Sequence, residues 1–166
     1  FENLHWSRYD SAYRRAFEQD LFATVSKYPE IDFILKGHPS SDWAKKLWRE
    51  LEGTANAQLV GAKPGTLETA PTPALLDAVD AVITTPSTVA MDAAFMNRPV
   101  AVAAYDLDLS FYEPLVLLRS ADDWSSFIDR ARAPEYLERA EQFLSAHTVG
   151  LAQAARVFEC VDNLSC

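Results

Sequence analysis

Only two cysteines occur in the chain, Cys160 and Cys166, both at its C-terminal end. Neither belongs to a CxxC pair or to a Cys/His cluster with metal-ligand spacing. This argues against a disulfide framework and a metal site, and makes a reducing cytoplasm the expected setting. Positive charge is also scarce: 15 Lys and Arg stand against 24 Asp and Glu, a formal net charge of −9. A nucleic-acid partner needs a basic face to meet the phosphate backbone, and none is visible. A small phosphorylated ligand needs only a few local donors and stays open. No apolar run approaches the roughly 20 residues of a membrane-spanning helix. GxGxxG, GxxxxGKS and GxSxG are all missing, which removes the usual dinucleotide, P-loop and serine-hydrolase readings. The opening FENLHW has neither an initiator Met nor a signal-peptide pattern, so a segment of a longer protein is expected.

What is present reads as one soluble α/β domain over residues 1–166, with 49% hydrophobic residues. Tyr13, Phe17, Leu21, Val25 and Tyr28 recur at helical spacing, with Ser7 or Asp10 as the cap and Pro29 as the stop. Ile31–Leu35 then reads as a short buried strand ending at Gly37. SSDWAKKLWRELEG gives a helix capped by Ser41 or Asp42 and closed by Gly53, and Asn56–Val60 a weaker strand. Residues 61–73 hold three of the nine prolines and two of the five glycines, a loop signature. PALLDAVD, AVITT, STVAMDAAFMN and RPVAVAAY follow as helix, strand, helix, strand, and LVLLR as an edge strand. Three helices close the chain: DDWSSFIDRAR, PEYLERAEQFLSAH, and VGLAQAARVFECVDNL with Leu151, Ala154, Ala155, Phe158 and Val161 on one face. Strands alternating with helices predict a doubly wound, mainly parallel sheet, a Rossmann-like architecture with C-terminal helices.

In such a sheet ligands bind beyond the carboxyl ends of the strands. Two polar clusters stand there: Lys36-Gly37-His38-Pro39-Ser40-Ser41 after the first strand, and Thr84-Thr85-Pro86-Ser87-Thr88 after AVI. Pro86 shapes the turn, and Ser87 or Thr88 as N-cap leaves backbone N–H groups and a positive helix end for an anion. Capping alone is an equal reading of the same residues. A histidine titrates near neutral pH and donates to phosphate, which makes His38 the candidate catalytic or ligand-binding residue; a structural histidine is the alternative. Asp92, about one turn into the following helix, is placed either to accept from ribose hydroxyls or simply to face solvent. Asp106 and Asp108 read first as Asx-turn formers. His5 and His147 receive no role. Trp6, Trp43, Trp48, Phe111 and Tyr112 read as packing residues before an interaction surface.

LKGHPSSD, followed by LLDAVDAVITTPSTVAMDAAFMNRPVAVAAYDLD, resembles the C-terminal half of GT-B glycosyltransferases. It is most similar to the CDP-glycerol glycerophosphotransferase group and the capsule-polysaccharide transferases, over about Ile31 to Tyr112. The resemblance implies a donor-binding half of a two-domain enzyme that moves a sugar or glycerol-phosphate unit from a nucleotide-activated donor to an acceptor hydroxyl. The family's activity is glycosyl or glycerophosphate transfer; whether this chain is itself an enzyme is open, and alone it is expected to be inactive. The donor, a CDP- or UDP-linked diphosphate, is substrate; no cofactor is implied. The resemblance also implies an acceptor-binding N-terminal domain as partner, and a cytoplasmic location with access to the inner membrane surface through other regions. Residue by residue, His38 matches the histidine of a His-Pro pair on donor phosphate. Ser87 and Thr88 match a serine pair on the diphosphate, Asp92 the acidic helix position, and Arg98-Pro99 the turn before the next strand. Thr85-Pro86 stands where the family has Asp-Tyr, which leaves Thr85 as a neighbouring donor-site hydroxyl. The pattern also resembles UDP-N-acetylglucosamine 2-epimerases, and a non-catalytic interaction module is the third possibility.

Overall fold

A computed structural model of the chain describes residues 9–38, 43–60 and 70–162. Helix α1 spans Ser11–Lys27, with Asp10 Oδ1 accepting from the Tyr13 N–H at 2.8 Å as its N-cap. Strand β1 (Phe33–Leu35), helix α2 (Trp43–Leu51), strand β2 (Ala57–Leu59) and helix α3 (Thr72–Ala78) follow. Then come β3 (Val82–Thr84), α4 (Val89–Phe95), β4 (Val100–Ala103), β5 (Val116–Leu118), α5 (Ala121–Asp129) and α6 (Pro134–Asp162). Helix α3 begins at Thr72, one residue ahead of the expected start at Pro73, with Pro73 in its first turn where a missing N–H does no harm.

Every strand pairing among the described residues is parallel. β1 pairs with β2, and β3, β4 and β5 pair in that order, so β5 is an edge as expected. β4 shows why the fold is doubly wound. Its four residues are all buried, and they alternate between two cores. Ala101 and Ala103 face a core with Tyr13, Phe17 and Val25 of α1 and Trp124 and Phe127 of α5. Val100 and Val102 face Leu76 of α3, Ala90 and Ala93 of α4, and Ala140 and Phe143 of α6. Helices therefore cover both faces of the sheet, and its strands are apolar on both sides. The face of α1 read from the sequence is the face that is buried: Tyr13, Phe17, Leu21, Val25 and Tyr28 are all inside.

Three expectations change. β1 is half-exposed at all three residues rather than buried. It forms one wall of a crevice of about 890 Å³ whose other wall is β3, so its β3-facing side lacks close cover. The last two expected helices are one continuous helix, Pro134–Asp162. Ser145 Oγ and Thr148 Oγ1 donate back to the Glu141 and Leu144 carbonyls at 2.9 and 2.7 Å, so the polar run SAHT is satisfied within the helix and does not break it. Third, Thr88 stands at the N-cap position of α4, but with helical backbone (φ −63°, ψ −16°) and no side-chain capping bond.

The expected caps Ser7, Ser41 and Asp42, most of the loop 61–73, Pro39 to Ser41 of the first polar cluster, Trp6 and the side chains of Trp43, Trp48 and the 151–161 stripe lie outside the described residues.

Candidate functional site

The β3–β4 register pairs Thr84 with Val102, so these strands end side by side and their following segments, Thr85–Thr88 and Ala104–Asp108, emerge at one edge of the sheet. Thr84 is fully buried, and its hydroxyl donates to the Thr85 carbonyl at 2.9 Å. The same oxygen lies 3.1 Å from Ser87 Oγ, and Ser87 Oγ accepts from the Val89 N–H at 3.3 Å. Ser87 thus closes an ST-type turn at the head of α4.

The helix end itself offers less than expected. α4 has seven residues. Its first amides bond internally, Ala90 N–H to Ser87 O at 3.2 Å, Met91 and Asp92 N–H to Thr88 O at 2.9 and 3.1 Å. What remains is the turn: among the described residues the Ser87 and Thr88 N–H groups have no hydrogen-bond partner. Ser87 is half-buried and Thr88 exposed.

The other candidates stand on separate segments. Thr85 is fully buried, so its side chain does not open onto the surface that Thr88 faces. His38 is exposed just after β1. Asp92 is exposed in the first turn of α4. Asp108 Oδ1 accepts from the Ser110 N–H at 3.2 Å, the Asx turn read from sequence, while Asp106 is exposed. Arg98 turns away from the site: its Nε donates to the Leu76 carbonyl and its Nη2 to that of Asp77. None of Thr84–Thr88 lines the large crevice, whose inner wall is apolar (Phe33, Ile83 and Trp124 among others). The partnerless N–H groups of Ser87 and Thr88 lie at the carboxyl edge, outside this crevice.

Sequence reasoning missed a tyrosine ladder at this edge. Tyr9 stacks on Tyr13 with centroids 4.4 Å apart, and Tyr13 meets Tyr105 edge-on at 5.1 Å. The Tyr9 hydroxyl donates to the Pro86 carbonyl at 3.2 Å, Tyr13 to that of Ala103 at 2.7 Å, and Tyr105 to Asp20 Oδ2 at 3.0 Å. Burial pushes the Tyr13 and Tyr105 hydroxyls far above the ordinary tyrosine value, so both stay protonated donors. Tyr105 has left-handed backbone (φ 45°), and Arg119 Nη1 donates to its carbonyl at 2.7 Å, holding the loop after β4. The sequence showed Tyr9 beside a cap, Tyr13 on the apolar face of α1 and Tyr105 after the strand, but nothing that joins the three.

The family model described as capsule polysaccharide biosynthesis protein matches residues 6–107, more than half of the chain. The chain belongs to this capsule polysaccharide biosynthesis family. The family match runs from Tyr9 and Tyr13 through the Thr84–Thr88 turn to Tyr105 and Leu107 in the loop after β4; Asp108 and Arg119 lie beyond it. Membership ties the chain to polysaccharide synthesis. No curated protein and no solved structure matches it. Among the described residues no helix is long and apolar enough to cross a membrane, and no group of three or more His, Cys, Asp or Glu could hold a metal ion.

Proposed function

We propose that this chain is the donor-binding half of a GT-B-like transferase, moving a sugar or glycerol-phosphate unit from a CDP- or UDP-linked donor to an acceptor hydroxyl of a surface polysaccharide or teichoic-acid-type polymer. Its chief support is the Ser87–Thr88 pair, two adjacent N–H groups without partners and the exposed Thr88 hydroxyl on a turn at the carboxyl edge of a parallel sheet, within the matched family span. That donor set suits the diphosphate of a nucleotide. Thr84 holds Ser87 from beneath, so the turn is preorganised and needs little rearrangement as charge grows on the departing phosphate. His38, exposed after β1, supplies a further donor. Asp92 accepts from ribose hydroxyls beyond the phosphates, one turn along α4. The buried Thr85 supports the turn rather than touching the donor. The acceptor and its catalytic base come from the N-terminal half of the two-domain enzyme.

Titration of ¹⁵N-labelled protein with CDP, UDP and GDP tests this. Saturable shifts at Ser87, Thr88 and His38 are expected with at least one nucleotide, weakened several-fold in Ser87→Ala, which loses the bonds to Thr84 and the Val89 N–H that hold the turn. No perturbation by any of the three at millimolar concentration overturns the reading.

An epimerase-like half would carry an acidic pair near position 92, where Asp92 stands alone. An interaction module has one observation in its favour, the exposed Phe95 (57%) and Phe111 (61%). Transfer by the full-length enzyme that survives alanine at both His38 and Ser87 would favour that module.

A further inference from the structure

We propose that Tyr9 is a positioning residue for the Thr84–Thr88 turn, setting the direction in which the Ser87 N–H points. This rests on the donor-site reading only for its ligand arm.

The pyrrolidine ring locks φ of Pro86, so one soft dihedral, its ψ, remains to orient the peptide plane between Pro86 and Ser87. In that planar trans unit the carbonyl and the N–H point in opposite directions. A bond that fixes the Pro86 carbonyl therefore fixes the Ser87 N–H. The Tyr9 hydroxyl, 3.2 Å from that carbonyl, makes it. The Ser87 side chain is restrained independently, through Thr84 Oγ1 and the Val89 N–H.

Tyr9 can hold the plane because it is itself held. It is 7% exposed and lies stacked on Tyr13, whose hydroxyl is fastened to the Ala103 carbonyl. The ladder joins the start of α1 to the ends of β3 and β4, so a displacement of α1 is transmitted to the turn. At 3.2 Å the Tyr9 bond is long for an O–H donor. Its loss shifts the population of turn orientations instead of unfolding the turn.

Tyr9→Phe and Tyr13→Phe keep the stacked rings and remove one hydroxyl each. In ligand-free protein, Tyr9→Phe is expected to move the Ser87 and Thr88 amide resonances and to speed their hydrogen exchange several-fold, with little change in melting temperature. Tyr13→Phe is expected to lower the melting temperature and move the Ala103–Tyr105 signals while leaving the turn. A role in stability alone would produce the second pattern in both variants, and turn signals unmoved by Tyr9→Phe overturn the proposal. With CDP as probe, Tyr9→Phe should weaken binding about three- to tenfold. If the turn signals move but the wild-type protein binds no nucleotide, the positioning role stands and the donor-site reading falls.

Discussion

The Arg98 guanidinium donates through Nε to the carbonyl of Leu76, twenty-two residues earlier, at 2.9 Å. With Nη2 on the Asp77 carbonyl at 2.8 Å, it covers two of the carbonyls that the end of α3 leaves unpaired. Arg98→Ala removes two charge-assisted bonds and should lower unfolding free energy by about 2 to 4 kcal/mol in urea titrations. Arg98→Lys should recover less than half, because an ammonium cannot reproduce the planar fork. The ion pair to Asp77 is a minor part: at 3.5 Å to a carboxylate 78% exposed, Asp77→Ala should cost under about 0.5 kcal/mol.

Arg98 reaches α3 because the chain reverses at Asn97. Asn97 has left-handed backbone (φ 55°). Its N–H bonds Ala94 O at 2.9 Å and that of Arg98 bonds Ala93 O at 3.0 Å, the paired bonds of a Schellman end to α4. Asn97→Gly should match or exceed wild-type stability, by up to about 1 kcal/mol. Asn97→Val should lose about 1 to 2 kcal/mol, since a β-branched residue resists positive φ. Thermal melts of the three proteins give the ranking.

That turn entered the sequence reading only as Arg98-Pro99, through the family resemblance, with Asn97 counted in the helix, whereas α1 was legible in its five-residue apolar face because that face depends on neighbours in the chain. The carboxyl edge was legible only as a location. TTPST looked like one uniform polar patch, yet Thr84 and Thr85 are fully buried while Thr88 is exposed. Which hydroxyl turns inward is decided by the packing of α4 against the sheet. The Tyr9–Pro86 and Tyr13–Ala103 bonds span 77 and 90 residues, and no local pattern carries them. The α4 amides illustrate the same limit. Ser-Thr signals a helix start, but whether the first N–H groups stay free depends on the turn geometry.

Asp20 gives a pH dependence of unusual sign. Burial raises its pKa above the ordinary aspartate value; the Tyr105 hydroxyl opposes this and the charge of Asp123 adds to it. The folded state therefore binds this proton more tightly than the unfolded chain. The contribution of Asp20 is full below the unfolded pKa and is lost as pH rises through the folded one. An asparagine in its place still accepts from Tyr105 and carries no charge to desolvate. The stability of Asp20→Asn relative to wild type should consequently be greater at pH 7 than near pH 4. Equal or opposite differences in urea unfolding at the two pH values would contradict this assignment.

Asn56 ties α1 to the β1–β2 pair. Its Nδ2 donates to the carbonyls of Val25 at 3.1 Å, Tyr28 at 3.0 Å and Ile31 at 3.2 Å, so two protons serve three acceptors around the bend after α1. Its backbone carbonyl accepts from the Phe33 N–H at 2.8 Å, starting the register of β1 on β2. Asn56→Ala should cost about 2 to 3 kcal/mol, the loss of donors to carbonyls that stay shielded from water. Asn56→Asp is nearly the same shape and should be worse at pH 7, because it faces three carbonyl oxygens with a carboxylate. That environment disfavours ionisation and raises the folded pKa of the new carboxyl, so part of its penalty should disappear on acidification, when a protonated oxygen can donate once again. If the Asn56→Asp variant proves as stable as Asn56→Ala at pH 7, or gains nothing relative to it near pH 4, the three contacts do not hold the bend.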